Sequence, residues 1–158
     1  MDFNKLLLNS YYVGRLASLI RMIDADTLIA SIDIGYATTH TPKKGIRIIG
    51  IDGPELSSKS DKEKLAAGIS ATETENLIKY LLKVGKIWVV SKKWDMYGRV
   101  LADLYFTDPN KKDLTSIADT LIQKKLVRPY DGLKARTPWT DKELTYIIDN
   151  YKLNQFTI

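Results

Sequence analysis

The chain contains no cysteine. That absence removes disulfide scaffolds, zinc ribbons, cysteine nucleophiles and iron–sulfur clusters together. It has one histidine, His40, so metal sites built on two or more imidazoles are excluded, and a serine-type triad would have to use that ring. No stretch approaches the roughly twenty apolar residues of a membrane span. Near the N-terminus only Leu6 to Leu8 form an apolar run, and no small-residue cleavage site follows it. As written, the chain has no export signal, and a cytoplasmic or otherwise intracellular location is expected; a secreted form stays open if a leader has been trimmed. No membrane association, no obligate protein partner and a monomeric state are expected. Any hydrolytic chemistry must rest on carboxylates, arginines and a hard metal ion.

What is present fits one ordinary soluble domain. A length of 158 residues suits a single hydrophobic core, and the whole chain, 1–158, reads as one unit without repeats or linkers. Lysine and arginine outnumber aspartate and glutamate by 24 to 19. That balance suits a polyanionic partner, and equally a surface charged for solubility.

Tyr12 to Ile23 mix apolar and basic residues without a helical period and read as a strand. From Thr27 to Ile34, residues Leu28, Ala30, Ile32 and Ile34 alternate with their neighbours, the mark of a half-buried strand. Gly35 to Gly45 reads as a loop, and Ile46 to Ile51 as a third strand that Asp52-Gly53-Pro54 stops. A helix follows, with Leu65, Ile69, Leu77, Ile78, Leu81 and Leu82 at helical spacing and Gly85 as its C-terminal cap. Lys86 to Ser91 and Arg99 to Phe106 form a strand pair. A second helix is expected over about Leu114 to Lys125, and a third from Thr140, where Glu143 completes a capping box. The fold class is α+β: a five-stranded OB-fold β-barrel with a helix between strands 3 and 4 and two C-terminal helices.

Charges interrupt the apolar pattern where strands end. They are Asp24-Ala25-Asp26-Thr27, then Arg47 followed by Asp52-Gly53-Pro54-Glu55, then Asp95-Met96-Tyr97-Gly98-Arg99. Each run alone is an ordinary turn. Together they place carboxylates and two arginines at one mouth of a small barrel. Oxygen donors suit calcium or magnesium, and guanidinium forks suit phosphate oxygens. A metal, a carboxylate for water and two guanidiniums are sufficient parts for phosphodiester hydrolysis. His40 reads as a surface residue without a catalytic role, Trp88 as core, and Arg128 to Gly132 as a structural turn, with contact of Tyr130 and Arg128 to substrate as the alternative.

These three runs, in this order and spacing, resemble the thermonuclease (staphylococcal or micrococcal nuclease) family over about residues 13–139. The resemblance implies a calcium-dependent phosphodiesterase that cleaves DNA and RNA with little sequence preference, favouring single-stranded or opened substrate. Carried onto this sequence, it implies that Asp26 and Asp52 ligate calcium, with the backbone carbonyl of Gly53 as a further ligand and Asp24 as an acid beside the metal. Glu55 matches the carboxylate that takes a proton from water or positions it. Arg47 and Arg99 match the arginines that hold the phosphate, and Tyr97 and Tyr130 match tyrosines that contact nucleotide. Magnesium or manganese would suit the same oxygens. Two positions depart from the family pattern: Gly53 stands where threonine is usual, and Ala25 where glycine is usual. A looser turn is expected at the first, and strain at the second if its φ must be positive. The alternative is a noncatalytic OB-fold module that binds nucleic acid or protein. Noncatalytic repeats of the fold lose the metal carboxylates, which this sequence keeps.

Overall fold

The computed structural model describes residues 12–110 and 113–151; the leucine run at 6–8 lies outside the described residues. Strands β1 (Tyr12–Asp24), β2 (Thr27–Gly35), β3 (Thr38–His40), β4 (Ile46–Ile48) and β5 (Ile51–Asp52) precede helix α1 (Asp61–Val84). Then come β6 (Lys86–Trp94), β7 (Val100–Thr107), β8 (Leu114–Ser116), α2 (Ile117–Gln123), β9 (Arg128–Pro129) and α3 (Asp141–Tyr151). Strand pairing runs from β1 through β6, β7, β4 and β2 back to β1, closing a ring of five. This is the OB-fold order, with α1 between the third and fourth barrel strands.

Alternation builds the wall. Leu28, Ala30 and Ile32 of β2 point inward, as do Val100, Ala102, Leu104 and Phe106 of β7. They meet Ile46, Ile48, Ile78, Ile87 and Leu121 in the main core, while Ala66 and Ile69 pack with Leu144 and Ile147 in a smaller one under α3. Ser60 caps α1 by accepting from the Glu63 N–H at 3.3 Å. At α3 the expected capping box forms: Glu143 accepts from the Thr140 N–H at 2.8 Å, and the Thr140 hydroxyl accepts from the Glu143 N–H at 3.3 Å.

Several local expectations change. The segment 35–45 contains β3, which pairs with β2 and carries His40 opposite Ile32. The third strand divides into β4 and β5 because Gly50, at φ +85°, turns the chain between them. The second helix starts only at Ile117; Leu114 to Ser116 instead extend the sheet beside β7, and Ser116 caps the helix. Trp88 is half-buried, its indole N–H donating to Thr107 at 3.3 Å. Gly85 follows α1 in extended geometry, φ −168°. A side chain there would run into the Thr107 carbonyl and the Phe106 ring, so close approach fixes this glycine. Among the described residues, no helix is long and apolar enough to cross a membrane.

Candidate active site

The tight turn between β1 and β2 delivers Asp26, and the register sets Thr27 opposite Arg47 of β4. Both charged groups are buried, Asp26 at 4% and Arg47 at 6% exposure. Arg47 Nη1 lies 2.8 Å from Asp26 Oδ2, which also accepts from the Gly53 N–H at 2.8 Å; Oδ1 accepts from the Thr27 hydroxyl at 2.9 Å. The other guanidinium nitrogen, Nη2, donates to the Ile51 carbonyl at 2.9 Å. Burial pulls the Arg47 pKa down, and the Asp26 carboxylate opposes it. The group stays charged, because guanidinium does not deprotonate in proteins. A pair this deep needs further hydrogen bonds to persist, and here Gly53 and Thr27 supply them to Asp26 and the Ile51 carbonyl to Arg47.

Asp52, in β5, is 1% exposed. Antiparallel pairing with β9 sets it directly opposite Arg128, whose Nε and Nη2 both donate to Oδ2, at 3.1 and 3.0 Å. Arg128 is itself fixed: its guanidinium stacks on Trp139 with 4.5 Å to the ring centroid and donates to the carbonyls of Thr137 and Pro138. Asp52 Oδ1 is different. It faces Arg136 Nε at 3.2 Å yet accepts no hydrogen bond, although it is fully buried. Arg136 Nη1 donates to Glu55, so one guanidinium bridges two carboxylates. Against the pull of burial, Asp52, Asp26 and Glu55 raise the Arg136 pKa. Nearby, Asp24 accepts from the Leu56 N–H at 3.2 Å, and burial raises its carboxyl pKa.

The β6–β7 connection aims the second expected arginine. Asp95 Oδ1 accepts from the backbone N–H groups of Tyr97 and Arg99, both at 2.9 Å, and Oδ2 accepts from Arg99 Nε at 2.6 Å. The turn thus grips its own arginine, whose guanidinium lies 5.4 Å from the Tyr97 ring centroid. Tyr130 sits across the gap, its hydroxyl bonded to the Lys134 carbonyl at 2.7 Å.

Arg47, Glu55, Tyr97, Arg99, Tyr130 and Arg136 line one open cleft of about 1020 Å³. Asp26 and Asp52 lie behind its wall, joined to it through Arg47 and Arg136. The expected residues are therefore brought to one region from five separate segments. Gly53 lies in the same wall, and its neighbour explains both departures from the family pattern. A Cβ on residue 53 would come within 2.9 Å of the Ala25 Cβ. Ala25 is fully buried, and its φ is not positive, so the strain expected there is absent.

An ion such as calcium would need hard oxygen donors, and the chemistry of this set fits: Asp26, Asp52 and Glu55 carry carboxylates, and Asp52 Oδ1 is a buried acceptor without a hydrogen bond. Among the described residues, however, no three acidic or histidine side chains are drawn together as a ready cage. Guanidiniums face the carboxylates instead. Arg136 was not singled out by the sequence, and Arg128 only as an alternative contact to substrate, not as the partner of Asp52. The available signal was a need: a buried aspartate at a strand end requires a cation, and the segment 128–136 supplies two arginines.

A family model described as staphylococcal nuclease homologue matches residues 45–150. The matched span includes Arg47, Asp52, Glu55, Arg99, Arg128 and Arg136 and begins after Asp24 and Asp26. No curated protein matches the chain.

Proposed function

The chain belongs to the staphylococcal nuclease homologue family, and from that membership we propose that it is a metal-dependent nuclease hydrolysing phosphodiester bonds in single-stranded or opened DNA and in RNA. The observation that carries the proposal is the convergence of Arg47, Arg99 and Glu55 on one cleft, backed by the buried carboxylates Asp26 and Asp52.

In this reading Arg47 of β4 and Arg99, which enters the neighbouring strand β7, clamp the two non-bridging phosphate oxygens side by side. Each is already oriented by a carboxylate, Asp26 and Asp95 respectively, so little reorganisation accompanies substrate binding. The Glu55 side chain is 46% accessible, whereas Asp26 and Asp52 are buried, which suits an exchange of protons with water. It accepts a proton as the water oxygen bonds to phosphorus; the opposite phosphorus–oxygen bond breaks, and the leaving oxygen takes a proton from solvent. Arg47 and Arg99 stabilise the charge that gathers on the phosphoryl oxygens meanwhile. Tyr97 and Tyr130 offer rings to the flanking nucleotides. Asp26, Asp52 and the Gly53 carbonyl would hold calcium, with magnesium or manganese as substitutes, and the bound ion would supply positive charge and a more acidic water.

One observation favours the second reading, a noncatalytic module that binds nucleic acid: Asp26, Asp52 and Glu55 each already face a guanidinium. The deciding experiment incubates purified protein with a labelled single-stranded DNA in excess calcium, beside a chelator control. Cleavage with calcium and none with chelator is expected. Equal cleavage in both arms overturns the metal assignment, and binding without cleavage in either arm establishes the module.

A further inference from the structure

Two arginines reach Asp52, and they are held very differently. Arg128 makes two directed hydrogen bonds to Oδ2, stacks on Trp139, and is tied to two backbone carbonyls. Arg136 comes from a stretch without regular secondary structure, 130–140, and its side chain is 36% exposed against 18% for Arg128. Its contact with Asp52 Oδ1 is charge without a hydrogen bond. A buried carboxylate oxygen normally takes a directed donor or a metal. This one has only a neighbouring charge that a stronger cation could replace.

Charge counting points the same way. Asp24, Asp26, Asp52 and Glu55 stand against Arg47, Arg128 and Arg136, leaving one excess negative charge. Adding a divalent ion with every arginine in place would make the wall positive and set two cations on the same pair of carboxylates. The group free to leave is the more exposed one, held to Asp52 by charge alone and otherwise only by Glu55 and the Tyr130 ring at the cleft. On leaving, it remains beside the cleft that it shares with Arg47 and Arg99, where a phosphate would receive it.

We propose that Arg136 is an internal counter-cation of Asp52 and Glu55, exchanged for the divalent ion when that ion binds and transferred to the substrate phosphate. The inference rests on the metal reading above. Metal entry is then an exchange, and substrate promotes it by giving Arg136 a second partner. Arg136 is a positioning residue in the free protein and a phosphate ligand in the complex.

The test is calorimetric titration of calcium into wild type, Arg136→Gln and Arg136→Lys, with cooperative thermal unfolding as the check on folding. Without nucleotide, Arg136→Gln should bind calcium about tenfold more tightly than wild type, the scale of coupling between interacting charged neighbours. Arg136→Lys, which keeps the charge without the fork, should fall between them. With calcium saturating, titration of thymidine 5′-monophosphate should show the opposite ranking, wild type binding most tightly. A purely structural role would not produce this crossover. Equal or weaker calcium binding by folded Arg136→Gln overturns the exchange while leaving the metal reading standing. Calcium binding by none of the three proteins overturns both.

Discussion

Arg47 and Arg136 both neutralise carboxylates of one wall, from opposite kinds of place. Arg47 sits buried in the cleft wall, on the face of β4 opposite Ile46 and Ile48, with Asp26 and the Ile51 carbonyl holding its Nη atoms. Arg136 sits on an irregular segment with a side chain about one-third exposed. A cation enclosed by the fold cannot leave its carboxylate, so its charge is a fixed element of the site. A cation on the rim can be traded. The same net charge near a phosphate can thus be permanent or conditional, depending on what the backbone around it is bonded to.

Removing the enclosed charge should have the largest effect. Arg47→Ala leaves Asp26 buried without its counter-ion, which costs about 3–5 kcal/mol of stability. It also removes a phosphate ligand, so turnover should fall by several orders of magnitude. Arg99→Ala should reduce turnover comparably but cost about 1 kcal/mol or less of stability, because its pair with Asp95 lies at the edge of the cleft. Urea unfolding and single-strand cleavage, measured on both variants, check the contrast. Equal stability losses would mean that the hairpin, too, is part of the barrel's load. Arg47→Lys should rescue stability better than turnover, since a point charge can face Asp26 but does not reproduce the fork.

A smaller effect should come from the paired small residues behind the wall. Gly53→Thr forces a Cβ to within 2.9 Å of the Ala25 methyl and should cost about 1–3 kcal/mol by overpacking. The double variant Ala25→Gly with Gly53→Thr frees that space and should recover most of the loss. Thermal unfolding of the two single variants and the double closes the cycle, and additive losses would show that the two positions do not share one volume.

The barrel was legible because strands announce themselves by alternation, and β2 and β7 alternate cleanly. The charged runs at Asp24–Thr27, Asp52–Glu55 and Asp95–Arg99 were legible because charges that interrupt an apolar pattern stand out. The pairing of Arg128 with Asp52 was hidden for a physical reason. β9 is two residues long, too short for any period, and its partner β5 lies 76 positions away between Asp52 and Arg128. Only the tertiary register reveals that pairing. The pairing of β8 with β7 is likewise decided by a neighbour, not by local preference.

The smallest effect belongs to the hairpin that aims Arg99. Although burial opposes it, hydrogen bonds from the Arg99 backbone and side chain and from the Tyr97 N–H hold the Asp95 carboxyl below its ordinary pKa. A carboxylate whose folded pKa is depressed stabilises the fold above its unfolded pKa of about 3.9. That contribution fades as pH falls through the lower, folded value. Asp95→Asn keeps an acceptor oxygen for the turn but loses the charge. Near neutral pH it should therefore cost about 1 kcal/mol or less, and its unfolding curve should converge on that of wild type as acid protonates Asp95. Turnover should suffer more than stability, because Arg99 keeps its charge but loses the partner that directs it to the cleft. The comparison with Arg47 makes this decisive. A stability loss independent of pH would show that the side-chain amide fails to hold the turn, whereas an unchanged turnover would show that the hairpin backbone alone aims Arg99.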